Sequence, residues 1–491
     1  MSTNPATLID GYKLDHRRQY PDKTQRVLSN WTCRGSRIPG LTDTVFFGLQ
    51  PFLAKYLGEE FGRGFFERPK DEVLAKYKRR VDSYLGPNDI GTDHIAALHD
   101  LGYIPLEFRA IPEGTWVPLR VPAVTIENTI DEFFWLTNYF ETLMSCELWL
   151  PITSATRARE IRKVLDAASA ETGAPGWFTD WQGHDFSFRG MAGVEAAQLS
   201  GAGHLLFFTG TDTIPALDWI EEYYGVPEGY LLGGSVAATE HSVMCAGGQE
   251  SEGETFDRLL KLYPAGILSV VSDTWNLWDV LTKLLPPRKE QIMARAGKLV
   301  IRPDSGNPAD IVCGAGGTYG FQGADGSPEA KGVIELLWDT FGGTVNEKGF
   351  KQLDEHIGCI YGDAISRDRA EEITGRLRAK GFASSNIVFG VGSYTYQYNT
   401  RDTLGQAMKA TWVEIDGVGK AIFKKPVTDD GLKNSLTGRL AVFRNADGLY
   451  AIENAFRQQE ELSLLRPVWK DGKFLVTETF DVVRARARAG K

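Results

Sequence analysis

Short apolar runs, each closing on a polar or glycine-rich tip, recur through the middle of the chain. They are HLLFFTGTD (204–212), YLLGGSVAATEH (230–241), ILSVVSD (267–273), LVIRPDSG (299–306), HIGCIYGD (356–363) and NIVFGVGS (386–393). Their β-branched and aromatic content is that of buried strands. The tips at 212, 241, 273, 304, 363 and 393 are 29, 32, 31, 59 and 30 residues apart. A spacing of about 30 residues is one strand plus one crossover helix. The double gap contains CGAGGTYGFQGADGSPEAKG (313–332), which reads as an inserted surface loop. Between tips, DTWNLWDVLTKLL (273–285) and SRDRAEEITGRLRAKG (366–381) carry helical patterning. Parallel βα units present their chemistry at the strands' C-terminal ends, so an α/β barrel is expected over 151–395. An open doubly wound sheet fits the same period and is the alternative.

The flanks are patterned differently. LEFRAIPEGTWVPLRVPAVTIEN (106–128) alternates and is punctuated by proline, as antiparallel strands are, and ATWVEIDGVGKAIFKKPV (410–427) is similar. Residues 1–150 and 396–491 are expected to build one mixed α+β domain from both ends of the chain. The most apolar segment, 133–153, carries Asn138, Glu141 and Glu147, which suits a buried helix better than a membrane span.

Composition narrows the function classes. The chain has 491 residues and a formal charge of −10, so a nucleic acid or an anionic membrane is a poor partner. An anionic ligand would need a local basic pocket. The cysteines at 33, 146, 245, 313 and 359 form no CxxC pair, and the N-terminus lacks a signal-peptide pattern, so a cytoplasmic protein is expected. The histidines show no metal-binding spacing.

The tips present Asp212, Glu240, His241, Asp273, Arg302, Asp304, Asp363 and a GVGS turn. Any one of them reads as a helix N-cap, but six in register on one barrel rim read as a site. Carboxylates bind ribose hydroxyls and hydrated Mg²⁺, and Arg, Lys and glycine turns bind phosphate. The implied ligand is a phosphorylated sugar.

DGYK (10–13), GHDFSFRG (183–190), FTGTDT (208–213), SVAATEHS (235–242), SVVSD (269–273), IRPDSGNP (301–308), YGD (361–363) and FGVGS with TRD (389–402) occur in this order. Together they closely resemble the nicotinamide phosphoribosyltransferase family. That resemblance implies a type II phosphoribosyltransferase: an α/β barrel in a homodimer with active sites at the subunit interface. The reaction it implies joins nicotinamide to phosphoribosyl pyrophosphate, giving nicotinamide mononucleotide and pyrophosphate. Mg²⁺ is implied as cofactor, bound mainly through the substrate's pyrophosphate, and ATP as an activating co-substrate.

The same resemblance assigns residue roles. Phe186 lies under the pyridine ring, with Tyr12 of the partner subunit on its other face. Arg189 contacts the base, Asp212 accepts from the carboxamide N–H₂, and Ser235 and Ser272 lie beside the base. Arg302, Asp304, Gly362 and Asp363 contact ribose and pyrophosphate. Gly392, Ser393, Arg401 and Lys409 serve the 5′-phosphate, with Lys424, Lys433 and the partner's Arg34 as further anion contacts. His241 accepts a phosphoryl group from ATP, with Asp273 orienting its ring. The GVGSY turn replaces a glycine-rich GSGGG, so a side chain is expected where positive φ would cost stability. The rival readings are a nicotinate phosphoribosyltransferase and a non-catalytic nucleotide sensor on the same scaffold. A sugar-phosphate aldolase barrel would want a strand-tip lysine, and these tips have none.

Overall fold

The computed structural model describes residues 4–315, 326–362, 364–428 and 434–490. Two predicted site residues, Asp363 and Lys433, and much of the 313–332 segment lie outside them. The chain divides into two compact units, one of Met1–Thr156, Asp218–Tyr230 and Asn399–Lys491, the other of Arg157–Leu217 and Leu231–Tyr398.

The second unit contains seven strands in one parallel sheet: β1 (Gly183–Asp185), β2 (Gly210–Thr211), β3 (Ala237–Ala238), β4 (Leu268–Val271), β5 (Leu299–Arg302), β6 (Ile357–Tyr361) and β7 (Ile387–Val391). Each pairs with its neighbour in sequence, except β2 with β3, and β7 returns to β1 through Phe389↔Gly183 and Val391↔Asp185. The seam between β2 and β3 is bridged at Gly210↔Gly234, where the Thr211 N–H donates to Gly234 O at 3.0 Å and the Gly234 N–H to Thr209 O at 2.9 Å. The ring therefore closes, and the open-sheet alternative does not hold. All seven C-terminal ends share one rim.

Some predicted strands are shorter than the apolar runs that suggested them. In 204–212 the run begins inside the helix Val194–Leu205, and Leu205, Leu206, Phe207 and Phe208 are all buried. A short apolar run does not distinguish a buried helix end from a strand. The segment 366–381 is helical over Arg367–Ala379, capped by the Ser366 hydroxyl and burying Ile373 and Leu377. In 273–285 the Asn276 side chain caps Leu277–Asp279, and a π-type turn follows. Within 313–332, the described residues include a short helix, Pro328–Lys331, capped by Ser327.

The first unit is built on an antiparallel sheet. Its strand order is Val418–Ala421, Gln406–Ile415, Thr24–Cys33, Pro122–Asn128, Leu106–Ala110, Arg466–Lys470 and Lys473–Phe474. Strand 24–33 lies between Gln406–Ile415 and Pro122–Asn128, so N-terminal and C-terminal segments share one ladder, with Trp31 opposite both Met408 and Val124. Residues 133–153 lead into the long helix Glu141–Thr172. The inserted segment 218–230 belongs here because Tyr224 stacks on Phe47 at 5.4 Å and its hydroxyl donates to the buried Glu113 carboxylate at 2.5 Å.

Arg439 ties the C-terminal segment to this sheet. Its guanidinium lies 4.6 Å from the Trp412 ring centroid and donates to Glu127 at 2.8 and 3.2 Å and to Glu460 at 2.6 Å. Burial lowers its proton affinity, but the two carboxylates outweigh burial and hold it above the ordinary arginine range. Arg439→Met would leave the Glu460 carboxylate without this counter-charge and, among the described residues, Glu127 with only Arg26, 3.9 Å away. It is expected to cost about 1–3 kcal/mol, read as a lower midpoint in urea unfolding. An unchanged midpoint would refute this role.

Candidate functional site at the barrel rim

The C-terminal ends of the seven strands carry most of the predicted site residues. Phe186 follows β1, Asp212 follows β2, His241 lies just past β3, and Ser272 and Asp273 follow β4. Arg302 ends β5 with Asp304 beyond it, Gly362 follows β6, and Gly392 and Ser393 follow β7. A pocket of about 590 Å³ opens here, lined by Phe186, Phe188, Arg189, Met191, Asp212 and Thr213 among others.

Asp212 is held on two sides. Its Oδ1 accepts from His184 Nε2 at 2.8 Å and from the Ser235 hydroxyl at 2.5 Å. Burial alone would raise its carboxyl pKa. The His184 and Ser235 bonds and the Arg302 charge outweigh burial, so the carboxyl sits below its usual range. The His184 ring also lies 4.6 Å from Phe186, and the Arg302 guanidinium is 6.0 Å from the Phe186 centroid. His184 was not among the predicted site residues. The available signal was the period of a strand, which puts residues two apart, here 184 and 186, on one face.

Arg302 Nη2 donates to Thr239 O at 2.8 Å, while its Nε is buried with no partner among the described residues. Asp273 Oδ2 accepts from the Asp304 N–H at 2.8 Å and the Ser305 hydroxyl at 2.6 Å, and its Oδ1 is buried without a partner among the described residues. Gly362 leaves room for Asp304, since a β-carbon there would fall 2.3 Å from Asp304 Oδ1.

Two predicted contacts are corrected. The His241 ring is not oriented by Asp273, which is turned to Asp304 and Ser305. Its Nδ1 lies 3.1 Å from Thr274 Oγ1, and its Nε2 is 3.9 Å from Asp304 Oδ2. Ser272 is fully buried, and its hydroxyl donates to Val270 O at 2.8 Å, so it secures the strand end and does not line the pocket. The strain expected in GVGSY is absent as well. None of residues 390–394 has positive φ, and Gly392 is extended at φ −93°.

The remaining predicted residues belong to the first unit. Tyr12 is 64% exposed on a 3₁₀ turn. Arg34 donates to Gly405 O at 3.2 Å, Arg401 pairs with Asp402 at 3.3 Å, and Lys424 is exposed. Asn30, Thr32, Arg34, Arg120 and Lys409 line a cavity of about 500 Å³ in this unit. Lys409 pairs with Glu141 Oε1 at 2.9 Å, a partner missing from the predicted set. No signal in the sequence joins positions 141 and 409.

Comparison with known proteins extends this picture. Residues 181–473 match the Nicotinate phosphoribosyltransferase (NAPRTase) family, and residues 4–96 match the Nicotinamide phosphoribosyltransferase N-terminal domain. The chain is 48% identical to the nicotinamide phosphoribosyltransferase of Acinetobacter baylyi, over 98% of this chain and 97% of that one. It is 38% identical to that of Mycoplasma pneumoniae, over 88% and 94%. The chain belongs to the nicotinamide phosphoribosyltransferase family. In fold it is similar to the nicotinate-nucleotide pyrophosphorylase of Pyrococcus furiosus (TM-score 0.58, 16% identity, 99% of this chain and 95% of that one). It is also similar to human nicotinic acid phosphoribosyltransferase (TM-score 0.55, 16% identity, 98% and 93%).

Because the Asp212 carboxyl is depressed in the folded chain, its contacts stabilise the fold above the ordinary carboxylate range, and that contribution is lost as pH falls. His184→Gln and Ser235→Ala are each expected to move the Asp212 titration upward, followed by carboxyl carbon NMR. An unmoved titration in both variants would contradict the arrangement.

Proposed function

We propose that the chain catalyses the synthesis of nicotinamide mononucleotide and pyrophosphate from nicotinamide and phosphoribosyl pyrophosphate, a step of NAD salvage. The observation that carries this reading is an aromatic ring and an anionic carboxylate lining one pocket, Phe186 and Asp212, with the Arg302 guanidinium 6.0 Å from the Phe186 ring and its charge acting on Asp212. The pyridine stacks on Phe186, with Tyr12 of the partner subunit as the opposite face in a homodimer. Asp212, kept anionic by His184 and Ser235, accepts from the carboxamide N–H₂. A nicotinate carboxylate at the same place would be repelled.

The pyridine nitrogen is already nucleophilic, so displacement at the anomeric carbon needs no general base. The residues position and stabilise charge. Arg302 offsets charge on the departing pyrophosphate, while Asp304 and Asp363 hold ribose hydroxyls and stabilise the developing positive ring. Gly392, Ser393, Arg401 and Lys409 hold the 5′-phosphate, with Lys424, Lys433 and the partner's Arg34 completing the anion site. Among the described residues no group of three or more metal-ligating side chains gathers. The oxygen donors Asp273 and Asp304 suit hydrated Mg²⁺ carried in on pyrophosphate, which supplies charge neutralisation. We further infer that ATP phosphorylates His241, with Thr274 setting the direction of the ring. No described helix is long and apolar enough to cross a membrane.

Asp304→Ala is expected to lower kcat by about 100-fold or more with an unchanged circular dichroism spectrum. Near-normal turnover would overturn the assignment. Asp212→Ser is expected to relax the preference for nicotinamide over nicotinic acid by about tenfold or more in a competition assay. A preserved preference would remove Asp212 from the recognition of the amide.

A further inference from the structure

One carboxylate in the first unit serves two lysines. Glu141 opens the helix Glu141–Thr172, in the most apolar segment of the chain. Its Oε2 accepts from Lys13 Nζ at 2.7 Å, and its Oε1 accepts from Lys409 Nζ at 2.9 Å. Lys13 is 3% exposed, so its ammonium depends on this counter-charge. Lys409 donates a second bond to Met408 O at 2.7 Å, which leaves one of its three protons uncommitted among the described residues. The neighbour of Lys13 is Tyr12, whose ring centroid lies 5.3 Å from Lys13 Nζ.

We infer that Glu141 is a positioning residue for phosphate binding: by anchoring Lys409 it aims the remaining N–H into the cavity lined by Asn30, Thr32, Arg34 and Arg120. Through Lys13 the same carboxylate secures the turn that presents Tyr12. Two ammonium groups on one carboxylate keep a net positive charge, so anion attraction survives while the direction of Lys409 is set. This rests on the reading of Lys409 as a cation for the 5′-phosphate.

The test is a double-mutant cycle on the full chain, with KM for phosphoribosyl pyrophosphate and kcat measured separately. Lys409→Ala is expected to raise KM about tenfold, and Glu141→Gln about three- to tenfold, each with kcat within about twofold of wild type. Glu141→Gln adds net positive charge, so simple attraction alone would lower KM, whereas lost positioning raises it. In the double variant Glu141→Gln is expected to add nothing to Lys409→Ala. Glu141→Gln also leaves Lys13 without its counter-charge, so a Lys13→Met/Glu141→Leu variant serves as the folding control. It should melt near wild type and show the same raised KM. An unmoved or lowered KM in Glu141→Gln or in the apolar pair, or additive effects in the cycle, would overturn the positioning role. An unmoved KM in Lys409→Ala would overturn the phosphate role of Lys409 itself, and the inference with it.

Discussion

The return of β7 to β1 is the constraint on which the site depends. A parallel strand needs a crossover before the next one, so seven strands in sequence order bring seven separated chain positions to one rim. Closing the ring converts residues spread from 186 to 393 into neighbours. Asp185 is the register point, opposite Val391 on one side and Thr211 on the other. The loops carrying Phe186, Asp212 and Ser393 all begin within one or two residues of that row.

Charge is managed differently at each cation. Arg302 acts through its charge on Asp212 and has one N–H buried and unmatched among the described residues, a poised donor in a rim rich in carboxylates. Lys409 is tethered to a carboxylate that also serves a buried lysine. The formal charge of −10 therefore says little about either place. An acidic chain binds anions by fixing a few cations in geometry, and fixed partners cost less ordering on binding than free side chains do.

Much of this was legible in the sequence. The 30-residue spacing of polar tips follows from the length of a βα unit, and it identified the rim positions 212, 241, 273, 304 and 393 before any contact was known. Hydrophobic pattern also reported antiparallel strands within 410–427 and the helix within 366–381. Side-chain partners were not legible, because they depend on register between distant strands. His184 reaches Asp212, and Thr274 faces His241 where Asp273 was expected. The run 205–208 is apolar throughout, so nothing in it distinguishes helix from strand. Segment 218–230 packs with Phe47 and Glu113 across more than a hundred residues, a pairing that local periodicity does not carry.

The central claim is that an anionic Asp212 beside Phe186 selects the amide, and the wild-type enzyme tests it most directly. Pyrophosphate release would be followed with phosphoribosyl pyrophosphate and either nicotinamide or nicotinic acid, each with and without ATP. The account predicts release with nicotinamide, strengthened by ATP, and little with nicotinic acid. Equal or greater release with nicotinic acid would contradict it.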